Sequence, residues 1–371
     1  MSIKRYRTGA YESPLSPPER HEGDDDERLD PETPLWRKIL LSGGALVGAA
    51  ALYNAYARHG VDRLPNLIGG DEGGWSWRGR RIAFTKRGAG PAVLLIHGIH
   101  AAAWSYEWRS TVDDLAQHFT VYTIDLLGFG RSDRPAIRYS ARLYISLISD
   151  FVGQVIGGPC TLVASSLSAA YAIVLSARDP HRFPALVLVG PTGLTRLNEA
   201  PGIRGDAERL AIDAPILGTA AFNALVSRRS LRFFLEEAYA SNTLVTDELV
   251  DVYYGTAHQR GARHAPAAFI AGQLNIDVRR ALRRLRQPAL LFWGEEAQIA
   301  PVEEVRGFRA LKPDFDVHIL SPAGDLPQDE RADEFNAILS TWLNRRLLSS
   351  GLTQNMPPGT LVASPPTPPA S

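Results

Sequence analysis

From about residue 75 onward, short runs dominated by apolar residues alternate with longer segments of helical periodicity. The runs fall at 92–96, 119–124, 161–164, 185–189, 289–293 and 316–320, and 81–87 reads as a further strand. Short, nearly continuous apolar strands separated by helical segments predict a mostly parallel sheet covered by helices on both faces, an α/β fold. The alternation breaks once. Between residues 190 and 288 the periodicity is helical and no strand is evident, so 196–283 reads as an inserted helical cap within a domain spanning 75–346.

Two other stretches stand apart. Residues 1–34 and 348–371 are polar or rich in Ser, Thr and Pro, with too little apolar surface to offset the entropy of ordering; both are expected to be disordered tails. The run 39–57 carries no charge within the segment 36–58. As a helix it would reach about 28 Å, near the thickness of a bilayer's hydrocarbon core. Gly44 and Gly48 form a pair at the spacing that lets helices approach closely in lipid. The expectation is a single membrane anchor with its amino end cytoplasmic and the domain outside, because Arg20, Arg28, Arg37 and Lys38 precede the run. An export signal and a helix packed on the globular domain are the competing readings.

Composition narrows the partners. Lys+Arg and Asp+Glu both total 40, so nothing argues for nucleic acid or an acidic polymer. The single cysteine, Cys160, excludes an intramolecular disulfide framework and reads as a buried, inert thiol. No metal-ligand spacing and no nucleotide-binding loop appear, so no cofactor is expected.

The chemistry begins at residues 161–170, which read as a strand, a tight elbow and a helix with Ser166 at the bend. With it come Leu94-Leu-Ile-His97-Gly98, Asp125-Leu-Leu-Gly128-Phe-Gly130-Arg-Ser132-Asp133, Phe292-Trp293-Gly294, and Ala323-Gly324 followed by Glu330-Arg331. In this order, over about residues 82–343, the chain resembles the α/β-hydrolase superfamily. The resemblance implies that Ser166 holds the nucleophile position. It also implies that the backbone N–H groups of Ile99, just after His97-Gly98, and of Leu167 form the oxyanion hole. The elbow departs from the family's Gly-x-Ser-x-Gly, reading Ala164-Ser165-Ser166-Leu167-Ser168; these residues are small enough for the turn to form.

The proton-transfer positions depart further. Counting from Gly294 to Pro301, the family's acid slot holds Ala297, with Glu296 beside it; the histidine slot after Gly324 holds Asp325. An ordinary carboxylate is a poor base towards a serine hydroxyl. Losing the histidine typically lowers turnover about 10⁶-fold, although oxyanion binding can retain about 10³–10⁴ over water. Of nine histidines, His100, His258 and His264 are placed to approach Ser166, whereas His97 reads as a buried residue bonded to its own loop. Trp104, Tyr106 and Trp108 cluster after His97-Gly98 and read as helix–sheet packing or as an aromatic wall of a pocket. Cap arginines, among them Arg228, Arg232, Arg260 and Arg263, read as a solvated face or as contacts to lipid headgroups.

The expected function is therefore binding of a small apolar ligand between sheet and cap, with Ser166, Asp325, Ala297, Ile99, Leu167, His97, Gly98, His100 and Trp104 at the site and little or no turnover. The alternatives are an atypical serine hydrolase or lyase using a non-standard base, and a scaffold for a protein partner.

Overall fold

The computed structural model describes residues 35–199 and 202–349. The predicted tail 1–34 lies outside them, as does the predicted tail 348–371 apart from residues 348 and 349, which end the last helix. Contacts divide the chain into units 1–46 and 47–371, and the sheet, its helices and the site all belong to the second.

Eight strands form one sheet: β1 Asp71–Trp77, β2 Arg80–Arg87, β3 Ala92–Ile96, β4 Thr120–Ile124, β5 Cys160–Ser165, β6 Leu186–Val189, β7 Ala289–Gly294 and β8 Asp316–Leu320. Their order is β1-β2-β4-β3-β5-β6-β7-β8. The first two pairings along this order are antiparallel and the rest parallel. The helices are α1 Leu35–Arg58, α2 Val112–Leu115, α3 Ala141–Phe151, α4 Ser166–Arg178, α5 Ile203–Asp213, α6 Leu217–Leu225, α7 Arg228–Ala238, α8 Asp247–Ala257, α9 His264–Ile270, α10 Arg279–Leu282, α11 Val305–Leu311, α12 Pro327–Glu330 and α13 Ala332–Ser349.

The strand period of two divides the core. On β3, Leu94 and Ile96 face the layer holding α3 and α4, while Val93 and Leu95 face Trp108, Leu115 and Phe335 of α13. Strands buried on both faces have no polar side to show, which is why they read as unbroken apolar runs. All seven strands expected from the sequence are present. The domain nevertheless begins earlier than 75, because β1 adds an edge strand. Its Gly73 stands opposite Phe84, and a Cβ on it would lie 2.1 Å from that ring. The glycine there makes room for the neighbouring strand's aromatic.

Between β6 and β7 the described chain is helical, through α5–α10. This insertion has a core of its own, built on Phe222, Leu231, Leu235, Leu249 and Tyr253. Among the described residues no helix is long and apolar enough to cross a membrane. The segment 36–58, with its many Ala and Gly residues and Asn54, falls short despite its length. Its last turns are held by the insertion. Asn54 Nδ2 donates to Ile216 O at 3.0 Å, Asn223 Nδ2 donates to Asn54 Oδ1 at 2.9 Å, and the Tyr254 hydroxyl donates to Ala57 O at 2.8 Å.

Candidate active site

Strands β3 and β5 are parallel neighbours, with Ile96 beside Ala164, so the loops leaving their carboxyl ends lie side by side. The chain departs from β3 to β4 on one side, and β5 lies on the other. That switch in strand order is where an α/β sheet opens a crevice. Ser166 stands there, the first residue of α4, at φ +52°. A left-handed conformation costs an L-residue about 1–2 kcal/mol, so it persists only where the surroundings dictate it. Here the strand ends and the helix begins within one residue, and only this bend connects them. Ser166 is part-exposed while Ser165 and Leu167 are buried.

The N–H groups of Ile99 and Leu167 make no hydrogen bond among the described residues, although both residues are buried. Buried amides are nearly always paired, so two unpaired donors in the turn after β3 and at the start of α4 stand out. His97 is structural. Its Nε2 accepts the Leu126 N–H at 3.1 Å, and its Nδ1 therefore donates to Gly98 O at 2.6 Å. Burial holds its pKa below the ordinary value, favouring this neutral tautomer.

Glu107, which the sequence analysis did not single out, lies under the elbow. Its Oε2 accepts the Gly98 N–H at 2.8 Å, its Oε1 accepts from Gln328 Nε2 at 2.9 Å, and Ser165 hydrogen-bonds to it. Only 3% of the residue is exposed, and burial pushes its carboxyl up to about 7 against these donors. An ideal Cβ on Gly98 would lie 3.3 Å from Ser165 Oγ, 3.4 Å from Ser166 Cβ and 3.5 Å from Glu107 Oε2. The carboxyl, both serines and the turn before Ile99 thus converge on one point. The available signal was an acid embedded between Trp104 and Trp108, in a segment otherwise read for its aromatics.

The histidine slot is occupied by a tie. Asp325 accepts the backbone N–H groups of Gln298, Ile299 and Ala300 at 3.0–3.2 Å, and its own N–H donates to Ala238 O at 2.7 Å. Burial raises its carboxyl above the ordinary range, and these three amides pull in the opposite direction. The carboxylate that stands in for the base is thereby spent on holding the loop of the acid slot. Ala297 packs at the edge of the core, and Glu296 is exposed.

Two of the three candidate imidazoles, those of His264 and His258, are engaged elsewhere. His264 Nδ1 pairs with Asp213 at 2.9 Å. His258 stacks on Tyr254 with ring centroids 3.8 Å apart, and its Nδ1 lies 3.0 Å from Tyr254 O. His100 keeps solvent contact although protein surrounds it, as a group in a concavity does; desolvation, then His97, draws its pKa down to about 4. Its Nδ1 accepts the Ala102 N–H at 3.4 Å. Among the described residues no hydrogen bond joins an imidazole to Ser166 Oγ. Trp104 is buried and stacked on Tyr106, and Trp108 belongs to the core on the sheet's other face. No group of three or more His, Cys, Asp or Glu among the described residues is arranged to hold a metal ion. Burial pushes the Cys160 thiol up.

Comparison with known proteins agrees with this architecture. The model of the alpha/beta hydrolase family matches residues 93–338. The chain is 28% identical over 276 residues to a 2-hydroxy-6-oxo-6-(2'-aminophenyl)hexa-2,4-dienoic acid hydrolase of Metapseudomonas resinovorans, covering 72% of this chain and 89% of that protein. It is likewise 28% identical over 274 residues to a 2-hydroxymuconate semialdehyde hydrolase of a Pseudomonas species, covering 71% and 91%. Among solved structures, a serine hydrolase involved in carbazole degradation superposes with a TM-score of 0.63 at 23% identity, over 74% of this chain and 99% of that one, a likeness of fold. With strand order, elbow and family match in agreement, this chain belongs to the α/β-hydrolase family.

Proposed function

We propose that this chain binds a small, predominantly apolar ligand beneath the helical insertion, presenting a carbonyl or carboxylate oxygen to the Ile99 and Leu167 amides, without triad turnover. The observation that carries this reading is the commitment of Asp325 to three backbone N–H groups, which leaves Ser166 without a proton acceptor in the family's position. A hydroxyl at the elbow with oxyanion donors beside it retains binding value once its base is gone. The hydrolases to which the chain is similar are named for oxo-dienoic acids, so a ligand with a ketone oxygen and a short apolar body fits the same geometry.

The test pairs binding with turnover. Medium-chain methyl ketones should raise the thermal midpoint of the wild-type chain, while p-nitrophenyl ester hydrolysis stays at the level of Ser166→Ala. Ester turnover well above that variant, with no ketone-dependent stabilisation, rejects the proposal.

A second reading is favoured by Glu107. A buried carboxyl near neutrality, bonded to Ser165 beside the elbow, would serve as a non-standard base and make the chain a slow serine hydrolase. In that case Glu107→Gln abolishes whatever ester turnover Ser166→Ala abolishes.

For the apolar helix we propose association with a membrane surface. Leu52 and Tyr56 are exposed at 75% and 77%, and Phe233 and Phe234 of the insertion at 57% and 51%. Apolar side chains left in water in this way favour an interfacial position.

A further inference from the structure

The insertion holds a second polar site, separate from Ser166. A cleft of about 480 Å³ is lined by Arg58, Arg134, Arg260, Arg263, His264 and Thr219. A smaller recess shares Arg58, Thr219 and Arg263 with it and adds His258. No carboxylate lines either, and Asp213, the nearest acid in the network, is already paired with His264 and Arg209. The side chains of Arg58 and Arg260 make no hydrogen bond or ion pair among the described residues. Arg263 Nε and His258 Nε2 are buried without a partner. His258 is 3% exposed. Four guanidinium groups gathered with no carboxylate in the lining repel one another; burial, and after it the Arg58 charge, lowers the pKa of Arg263 against the pull of Asp213, and burial, then Arg228 and Arg58, lowers that of His258.

We propose that this cleft binds a phosphoryl group that carries a hydroxyl: inorganic hydrogenphosphate or a phosphomonoester headgroup in its monoanionic form. The arginines supply charge and forked donors, which match phosphate oxygens. The hydroxyl answers His258, which lines the adjoining recess of about 10 Å³, room for a single oxygen reaching in from the cleft. Its Nδ1 faces the Tyr254 carbonyl, which only accepts, so Nδ1 carries the proton and the neutral ring presents a bare lone pair at Nε2. A ligand must bring a proton to that atom. Hydrogenphosphate has one and sulfate does not.

The test is titration calorimetry of the full chain with phosphate and with sulfate at matched ionic strength and neutral pH, beside cosedimentation with phosphatidylcholine vesicles with and without phosphatidate. Phosphate should bind at least tenfold more tightly than sulfate. The double variant Arg58→Gln, Arg260→Gln should weaken phosphate binding by about tenfold or more. These two side chains make no internal bonds, so an unchanged thermal midpoint in chloride shows the variant folded. Phosphatidate-dependent cosedimentation that soluble phosphate displaces identifies a lipid headgroup as the source; phosphate binding without cosedimentation identifies the free anion, and both support the site. Absence of binding by either route, affinity unaffected in the double variant, or sulfate bound as tightly as phosphate overturns the assignment. None of these readouts depends on Ser166.

Discussion

Asp325 is a structural joint. Its carboxylate ties three successive amides of the acid-slot loop. Asp325→Ala should therefore cost about 1–3 kcal/mol, and Asp325→Asn, which keeps an acceptor, distinctly less. Urea denaturation of the two variants checks this, and equal stabilities would count against the tie. Glu107 gives a prediction of opposite character. Its carboxyl is pushed from 4.5 up to about 7 in the fold, so the folded state holds the proton more tightly than the unfolded chain. Its contribution is complete below pH 4.5 and is lost as pH rises through about 7, an amount near 3 kcal/mol. The stability difference between Glu107→Gln and wild type should thus move by about that much in the variant's favour between pH 4.5 and 8. A difference that stays flat over that range would show Glu107 to be an ordinary carboxylate.

The strand–elbow–helix unit imposes the left-handed backbone at Ser166. Ser166→Gly relieves that strain, partly offset by the looser unfolded chain, whereas Ser166→Val adds a β-branched side chain where none is tolerated. The two variants should differ by about 2 kcal/mol in thermal or chemical denaturation, glycine being the more stable. The loop after β4 shows the same coupling of sequence to element. Buried Asp125 receives the Ser105 N–H at 2.9 Å and Arg131 Nε at 2.8 Å, and a Cβ on Gly130 would sit 2.3 Å from its carboxyl carbon. Asp125→Ala leaves the buried Arg131 guanidinium with the half-exposed Glu72, 3.0 Å from its Nη1, as its remaining carboxylate, and should cost about 3 kcal/mol or prevent folding, read from soluble yield and denaturation. The central strands β3, β5, β6 and β7 were legible because burial on both faces leaves them almost wholly apolar. β1 was not, because an edge strand with two glycines and two acids carries no such pattern. The tie formed by Asp325 was also hidden, since the amides it accepts belong to residues 25–27 positions earlier and carry no side-chain signature.

At the scale of the whole molecule, the α/β-hydrolase sheet has its crevice at the carboxyl ends of β3 and β5, with Glu107 and Asp325 both held by hydrogen bonds around it. The Ile99 and Leu167 amides, singled out in the sequence from the position of His97-Gly98 and the elbow, are buried without a partner among the described residues. Glu107 and Gln328 were not, because they are 221 residues apart in sequence and meet only when α12 packs under the elbow. The cationic cleft was similarly dispersed, with the end of α1 giving it Arg58, the loop after β4 Arg134, and the turn before α9 both Arg260 and Arg263.

The central claim is that Ser166 lacks an activating base, and its chemical reactivity is the direct measure. Intact-protein mass spectrometry after exposure to a fluorophosphonate should show no more adduct on the wild-type chain than on Ser166→Ala. A rapid stoichiometric adduct, absent from Ser166→Ala, would contradict the account.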